Sequence, residues 1–326
     1  MTAFHVLVTA PQWLTEAQTL LRNAGGVLHF MEEPINQDTL IQQLQRHPIE
    51  AMVLRGSKPL SAQVLAASHT LKVIAKNGAG VDNVDLQAAN ARGVTVAVAA
   101  GGNAQAVAEH AIALMLTLVR QLNSLDAKVK QGGWEGTSWM GRDFRGSVVG
   151  ILGYGSIGQC TAQLATALGA EVVVHGGTRR GPVEVRVEND LDAFLSQIDI
   201  LSLHCPLTDR TRGMIGTREL ALMKPGSLIV NTARGAIIDE VALVAALRSG
   251  HLGGAGLDTF VQEPIESTHP LLSLHQVVLT PHVAGVTRNA ATQVALMTAQ
   301  NILDVRAGKP LPPRHWVAGP LPGARA

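Results

Sequence analysis

The segment that most limits what this chain can fold into is Val148–Leu152 followed by Gly153-Tyr154-Gly155-Ser156-Ile157-Gly158. An apolar, β-branched run closes on a G-x-G-x-x-G pattern, and an amphipathic stretch opens inside it. That order calls for a strand, a tight turn and a helix, the unit from which parallel sheets are wound. A chain with 33 glycines yields such patterns by chance, so the flanking strand and helix carry the inference. Gly153 permits the turn, Gly155 lets the backbone approach a ligand, and Gly158 lets the helix lie against the strand. The helix N-terminus then offers unpaired amides to the pyrophosphate of a dinucleotide.

The next strand indicates which dinucleotide. A carboxylate about 20 residues on, at the end of the second strand, would hold the ribose 2′-OH of NAD. Here Glu171–His175 runs into Gly176-Gly177-Thr178-Arg179-Arg180, and no carboxylate occurs between Val172 and Val183. Glu171 opens the strand and is placed too early. Thr178, Arg179 and Arg180 stand where a 2′-phosphate would project, and guanidinium forks match phosphate geometry. The spacing predicts a preference for NADP(H), with NAD(H) also accepted.

Similar alternation runs through the rest of the chain. Strand patterns at 5–9, 51–54 and 71–76, each followed by a helical stretch such as 15–23, make one small α/β domain to about residue 99. Residues 104–130 read as one long helix, with Val107, Ala111, Leu114, Leu118 and Leu122 at spacings of three to four. Strands at 147–152, 171–175, 198–204, 227–231, 255–257 and 277–280, with a helix at 156–168, make a second, larger α/β unit. A last helix spans 287–307. The tail from Pro310 carries Pro312, Pro313, Pro320 and Pro322, and is expected to be extended and mobile. The predicted division is 1–99 with 290–326, and 100–289.

Composition agrees and excludes several classes. A length of 326 residues suits two domains, and only 3% aromatics favours helices on a buried sheet over a β-sandwich. With 26 basic and 25 acidic residues, the charge of +1 gives no surplus for nucleic acid or anionic lipid. Cys160 and Cys205 cannot build a disulfide framework or a four-ligand zinc site, and no metal is expected. No apolar run could span a membrane, and residues 1–8 lack the pattern of a secretory leader, so a cytoplasmic location is expected.

Several separated motifs carry a family likeness. They are Asn77-Gly78-Ala79-Gly80-Val81-Asp82-Asn83-Val84-Asp85, Val107-Ala108-Glu109-His110, His204-Cys205-Pro206-Leu207-Thr208, Asn231-Thr232-Ala233-Arg234-Gly235, Gly254-Ala255-Gly256-Leu257-Asp258-Thr259-Phe260, Glu263-Pro264 and Thr280-Pro281-His282-Val283-Ala284-Gly285. In this order, from about residue 50 to 306, they resemble the D-isomer-specific 2-hydroxyacid dehydrogenases. The resemblance implies an α/β fold of two Rossmann-like domains with parallel sheets. The nucleotide domain would be inserted into a flavodoxin-like substrate domain, with a cleft between them and hinges near 100 and 287. It implies hydride transfer between NADP(H) and C2 of a small 2-oxo or 2-hydroxy acid. A glyoxylate/hydroxypyruvate-type reductase is the leading expectation and a 3-phosphoglycerate dehydrogenase the alternative. A dinucleotide-sensing, corepressor-like binding protein is the remote one.

That chemistry needs a proton donor, a cation for the carboxylate and a means of orientation. His282 follows a strand and precedes a glycine turn, and imidazole, with an ordinary pKa of about 6.5, exchanges protons near neutrality. The family's matching histidine is the acid–base. Glu263 lies 19 residues earlier. A carboxylate against an imidazole raises its pKa and fixes its tautomer. Related formate dehydrogenases carry Gln there, so Glu263 argues against formate oxidation. Arg234 can fork onto the substrate carboxylate. With Arg234, Glu263 and His282 all present, a purely sensory role is disfavoured.

By resemblance, Asp258 orients the nicotinamide carboxamide. Cys205, Pro206, Thr232, Ala233 and Gly285 join Gly153, Tyr154, Gly155, Ser156, Ile157 and Gly158 around the cofactor. Cys205 and Cys160 themselves read as packing residues. Gly78, Ala79 and Gly80 can present amides to an anion, and Arg55 and Asn103 match positions that face substrate. A homodimer through the nucleotide-binding domain is also expected. The helix at 104–130 is apolar nearly all round in its first half, and Trp134 and Trp139 follow it.

Overall fold

The computed structural model describes residues 3–56, 58–176 and 184–321. Two compact units divide the chain: Met1–Asn103 with Thr287–Ala326, and Ala104–Val286. The chain runs β1 (Phe4–Val8), α1 (Thr15–Asn23), β2 (Gly26–Phe30), α2 (Gln37–Arg46), β3 (Ile49–Leu54), α3 (Ala62–Ala66), β4 (Val73–Lys76), α4 (Leu86–Ala91) and β5 (Thr95–Val98). The second unit follows with α5 (Ala104–Val119), α6 (Leu122–Lys130), β6 (Val148–Leu152), α7 (Ser156–Ala167), β7 (Glu171–His175) and β8 (Arg186–Val187). It continues through α8 (Leu191–Gln197), β9 (Ile200–Leu203), α9 (Thr217–Leu222), β10 (Ser227–Asn231), α10 (Glu240–Arg248), β11 (Leu252–Leu257) and β12 (Val277–Leu279). Then α11 (Arg288–Arg306) and β13 (Trp316–Ala318) return to the first unit.

The first sheet has the order β2-β1-β3-β4-β5-β13, parallel except for β13. That is the flavodoxin-like winding, with a switch point between β1 and β3. Its strands are buried on both faces at period two. Leu7, Met52, Leu54, Ile74 and Val96 join the core under α2 and α3, while Val6, Val8, Ala51, Val53, Val73 and Ala75 join the core under α1 and α11. Ser61, Asp85 and Asn36 cap the helices α3, α4 and α2 through their side chains, supplying acceptors to first-turn amides.

The second sheet is wholly parallel, in the order β8-β7-β6-β9-β10-β11-β12. This is the dinucleotide-fold winding, with its switch point between β6 and β9. Val149, Ile151, Leu228 and Val230 face α5 and α7, while Leu152, Ile229 and Leu257 face α8, α9 and α10. Each such fully buried aliphatic side chain contributes roughly 1.5–3 kcal/mol. β11 is glycine-rich so that α5 can lie close to it. A Cβ on Gly256 would stand 3.0 Å from Leu114 Cβ, and one on Gly254 3.2 Å from Leu118.

Two expectations need correction. Residues 104–130 are not one helix. The chain breaks at Gln121, whose φ of 47° is left-handed. α5 is buried on the sheet at Ala108, Ala111, Leu114, Met115 and Leu118, whereas α6 has no buried residue and is tied by Asn123 and Ser124 to the His275 carbonyl, each at 3.1 Å. The tail is extended but anchored through residue 320. Trp316 pairs with Ala97, His315 and Leu311 are buried, and the Pro320 carbonyl accepts a bond from Thr95 Oγ1 at 2.9 Å. Among the described residues, no helix is long and apolar enough to cross a membrane.

Candidate active site

The candidate side chains of the second unit lie just beyond the carboxyl ends of its strands, where parallel sheets bind ligands. At the switch point the turn after β6 meets the turn after β9. Gly153 has φ 97°, and a Cβ there would lie 2.6 Å from the Cys205 nitrogen. A Cβ on Gly158 would stand 2.2 Å from the Gly153 carbonyl oxygen, whereas one on Gly155 meets nothing within 4 Å among the described residues. α7 opens there with no side-chain cap. Open space over Gly155, at a helix start whose first-turn amides at Ser156 and Ile157 have no intrahelical partner, fits a pyrophosphate.

Tyr154 behaves differently from its neighbours. Its ring is in the core, its hydroxyl has no partner among the described residues, and burial raises its pKa. Its amide already donates to the Gly176 carbonyl at 3.1 Å. Across the switch point, burial pushes the Cys205 thiol up to about 11, so it packs as a neutral thiol. Cys160, half-buried on α7, is also raised by burial. Burial lowers His204 to about 3, and its Nε2 lies 2.8 Å from Ser202 Oγ. Pro206 is exposed and its carbonyl accepts from Thr211 Oγ1 at 2.7 Å. Thr178, Arg179 and Arg180 lie outside the described residues.

β10 ends in a turn stapled by one amide side chain. Asn231 Oδ1 accepts from the Ala233 nitrogen at 3.0 Å, and its Nδ2 donates to the Arg234 carbonyl at 2.9 Å. Arg234 also donates to the Ala233 carbonyl at 2.7 Å. A Cβ on Gly235 would stand 2.0 Å from the Phe260 carbonyl carbon, so the Arg234 turn sits directly on the backbone after β11. Thr232 Oγ1 is buried without a partner among the described residues.

The imidazole and its carboxylate come next. His282 has φ 55°, a left-handed conformation uncommon in a non-glycine residue. Its loop is held by Asp258, which is 1% exposed. Asp258 Oδ1 accepts from the Val283 nitrogen at 2.9 Å and Oδ2 from the Ala284 nitrogen at 2.8 Å. His282 Nδ1 lies 2.7 Å from Glu263 Oε2, and Glu263 Oε1 accepts from the Phe260 nitrogen at 3.0 Å. With the Nδ1 proton committed to the carboxylate, the neutral ring carries its lone pair on Nε2. Half of the His282 side chain is exposed. Gly285 closes the turn, half-buried. Asp258, matched by resemblance to the cofactor carboxamide, thus already serves two backbone donors of the histidine loop.

In the first unit, Arg55 follows β3 at that sheet's switch point. Its amide donates to Thr9 Oγ1 at 2.9 Å and its guanidinium to the Gln12 carbonyl at 2.7 Å. Gly78, with φ 150°, Ala79 and Gly80 follow β4, and Asn103 is the last residue before the second unit. Sequence reasoning passed over Lys76, which is buried at the end of β4 and bonded to the Gly56 carbonyl and to Asn83 Oδ1. Its signal was a lysine ending an apolar strand immediately before the glycine loop.

A dinucleotide-type sheet whose carboxyl edge carries an arginine turn and a histidine–carboxylate pair defines a class of cofactor-binding α/β proteins. Residues 112–284 match the model of the D-isomer specific 2-hydroxyacid dehydrogenase NAD binding domain. The chain is 38% identical over 310 residues to a D-3-phosphoglycerate dehydrogenase of Archaeoglobus fulgidus, covering 94% of this chain but 58% of that one. It is 37% identical to a hydroxypyruvate reductase of Thermotoga maritima, over 88% of this chain and 94% of that one. A glyoxylate reductase structure from Paecilomyes thermophila superposes with a TM-score of 0.87 at 30% identity, covering 97% and 99% of the two chains. The chain belongs to the D-isomer-specific 2-hydroxyacid dehydrogenase family.

Proposed function

We propose that the protein is an NAD(P)-dependent D-2-hydroxyacid dehydrogenase that reduces a small 2-oxo acid of the glyoxylate or hydroxypyruvate type. The observation that carries this reading is the His282–Glu263 pair, locked into a left-handed loop by Asp258. Gly155, Ser156 and Ile157 would hold the pyrophosphate of a nicotinamide dinucleotide, which would supply the hydride for C2. His282, protonated, gives its Nε2 proton to the C2 oxygen as that oxygen gains charge. Glu263 accepts from Nδ1, orienting the ring and stabilising its cationic form. Arg234 binds the substrate carboxylate and polarises the C2 carbonyl. Thr232, Ala233, Cys205, Pro206 and Gly285 line the cofactor. NADP(H) is the preferred form, since Gly176, directly after β7, brings no acid and Thr178, Arg179 and Arg180 follow. In the first unit, the amides of Gly78, Ala79 and Gly80, with Arg55 and Asn103, are assigned to an anionic group.

A second reading, 3-phosphoglycerate dehydrogenase, draws on the 38% identity to the Archaeoglobus relative. One assay tests both. The protein is mixed with NADPH or NADH and glyoxylate, hydroxypyruvate or 3-phosphohydroxypyruvate, and loss of the reduced nicotinamide absorbance is followed. Turnover is expected with the small unphosphorylated acids. Turnover with the phosphorylated acid alone establishes the second reading, and none with any acid rejects both.

A further inference from the structure

α5 carries one histidine among the aliphatic residues of its buried faces, His110, three-quarters buried. Its Nε2 lies 3.0 Å from Thr280 Oγ1, and Thr280 Oγ1 lies 2.6 Å from Asp258 Oδ1. A threonine hydroxyl has one proton to donate, and an ionised carboxylate only accepts. The Thr280 proton therefore points to Asp258, and its lone pair faces His110. His110 Nε2 must then carry a proton. The direct separation of His110 Nε2 from Asp258 Oδ1 is 3.7 Å, too long for a hydrogen bond. The hydrogen-bonded path from His110 to the carboxylate therefore runs through the hydroxyl.

We propose that His110 is a positioning residue for the acid–base, a role that rests on the reading of His282 given above. The chain of donors runs from His110 through Thr280 to Asp258, and that carboxylate holds the amides on the C-terminal side of His282. Thr280 and Val283 bracket Pro281 and His282 in sequence. Asp258 therefore clamps both shoulders of the left-handed residue, one through a hydroxyl and one through an amide. Donor chains in a dry environment polarise one another, so the imidazole strengthens the Thr280–Asp258 bond as well as orienting it. His110 bonds one shoulder, the Thr280 hydroxyl. It fixes that hydroxyl from the helix side, and so links α5 to the geometry of His282.

The test has two arms. Nitrogen NMR of histidine-labelled wild-type protein reads protonation directly. A proton on His110 Nε2 is expected, and an unprotonated Nε2 overturns the proposal. In the second arm His110→Phe keeps the ring volume without the donor, and His110→Gln restores a donor at the Nε2 position. Loss of one such bond from the working geometry predicts about a tenfold fall in kcat for His110→Phe, with cofactor KM unchanged. Most of that fall should be regained in His110→Gln. A Phe variant with wild-type kcat, or a Gln variant no better than Phe, overturns the proposal. Should His110→Phe not fold, Thr280→Val takes its place with the same expectation, and Thr280→Ser is the rescue. Should wild type turn over no acid at all, the functional reading fails. The nitrogen spectrum, with the exchange rates of the Val283 and Ala284 amides in His110→Gln and His110→Phe, then still decides the relay: faster exchange in Phe alone supports it, and equal rates reject it.

Discussion

Glu263 Oε2 sits 2.7 Å from His282 Nδ1, and the same carboxylate's other oxygen holds the Phe260 amide. The pair is thereby anchored to the backbone that leaves β11. Replacing His282 by Ala should lower kcat by about 10²–10⁴-fold, the usual worth of general acid–base catalysis. Glu263→Gln keeps the shape but not the charge, and a loss of roughly 10–100-fold is expected, as for other groups that orient a functional histidine. Cofactor affinity, read by fluorescence titration, should stay unchanged in both. A Glu263→Gln enzyme with wild-type kcat would separate the carboxylate from the chemistry.

Two glycines of one motif should fail in different ways. A Cβ on Gly158 would stand 2.2 Å from a backbone oxygen, while one on Gly155 meets open space. Gly158→Ala must push α7 off the turn after β6, and overpacking of this kind costs about 1–3 kcal/mol. Gly155→Ala should melt like wild type and instead bind the dinucleotide more weakly. Thermal unfolding and cofactor titration of the two variants check this, and a stable Gly158→Ala protein with intact binding would contradict it.

The proposed preference for NADP(H) rests on residues after β7. NADPH should exceed NADH in kcat/KM, and Arg179→Ala with Arg180→Ala should remove the difference. A charge-assisted hydrogen bond to a phosphate is worth about 1.5–3 kcal/mol. Steady-state kinetics with both cofactors, before and after substitution, provide the measurement. A wild-type enzyme that prefers NADH rejects the assignment.

Acid should act on the fold through His204. Burial lowers its ring to about 3, so it stays neutral in the native state while the unfolded chain titrates near pH 6.5. Between those values the unfolded state binds more protons, so stability is complete above about pH 6.5 and falls as pH drops. The fall reaches at most ~1.4 kcal/mol per pH unit for one group. Denaturant melts of wild type and His204→Gln from neutral pH to about pH 5 should diverge, wild type losing more. Parallel curves would show that the ring is not the sensitive group.

The residues that announce the second unit are local ones. The strand β6, the glycine turn and α7 are contiguous, and β7 and β10 span the expected Glu171–His175 and Ser227–Asn231. What the sequence hid depends on distant partners. β13 lies in a proline-rich tail and becomes a strand only because β5, more than 200 residues earlier, offers it an edge. β11 starts at Leu252, three residues ahead of its apolar run, since glycines with little strand propensity serve there to admit α5. The left-handed Gln121 carries no glycine signal. At the candidate site, motifs shared with the resembled family singled out His282, Glu263 and Arg234, and the structure brings His282 and Glu263 to 2.7 Å. Lys76 and the Thr280 contact of His110 were not legible, because a lone polar residue in an apolar strand or helix gains meaning only from what it touches.

The expectation of a homodimer has to be argued again from the structure. α5 was expected to need a partner because it is apolar nearly all round. Its own chain buries ten of its residues, six of them in the cluster shared with α7 and the sheet, and leaves Gln105, Glu109 and Ala113 exposed. The helix therefore no longer carries the argument. The segment after it does. Trp134 is 81% exposed and Met140 89%, with Leu122 and Val129 more than half exposed on α6. Trp139 is half-buried, with the Arg120 guanidinium 5.8 Å from its ring. Large apolar side chains gathered in one short segment mark an association surface, and Trp and Met are enriched in such interfaces. We propose that this segment of the second unit meets a second copy of the chain. Light scattering at micromolar concentration should give twice 34.3 kDa. Trp134→Asp with Met140→Asp should give a folded monomer. A wild-type monomer at that concentration rejects the dimer, and a double variant that remains dimeric places the interface elsewhere.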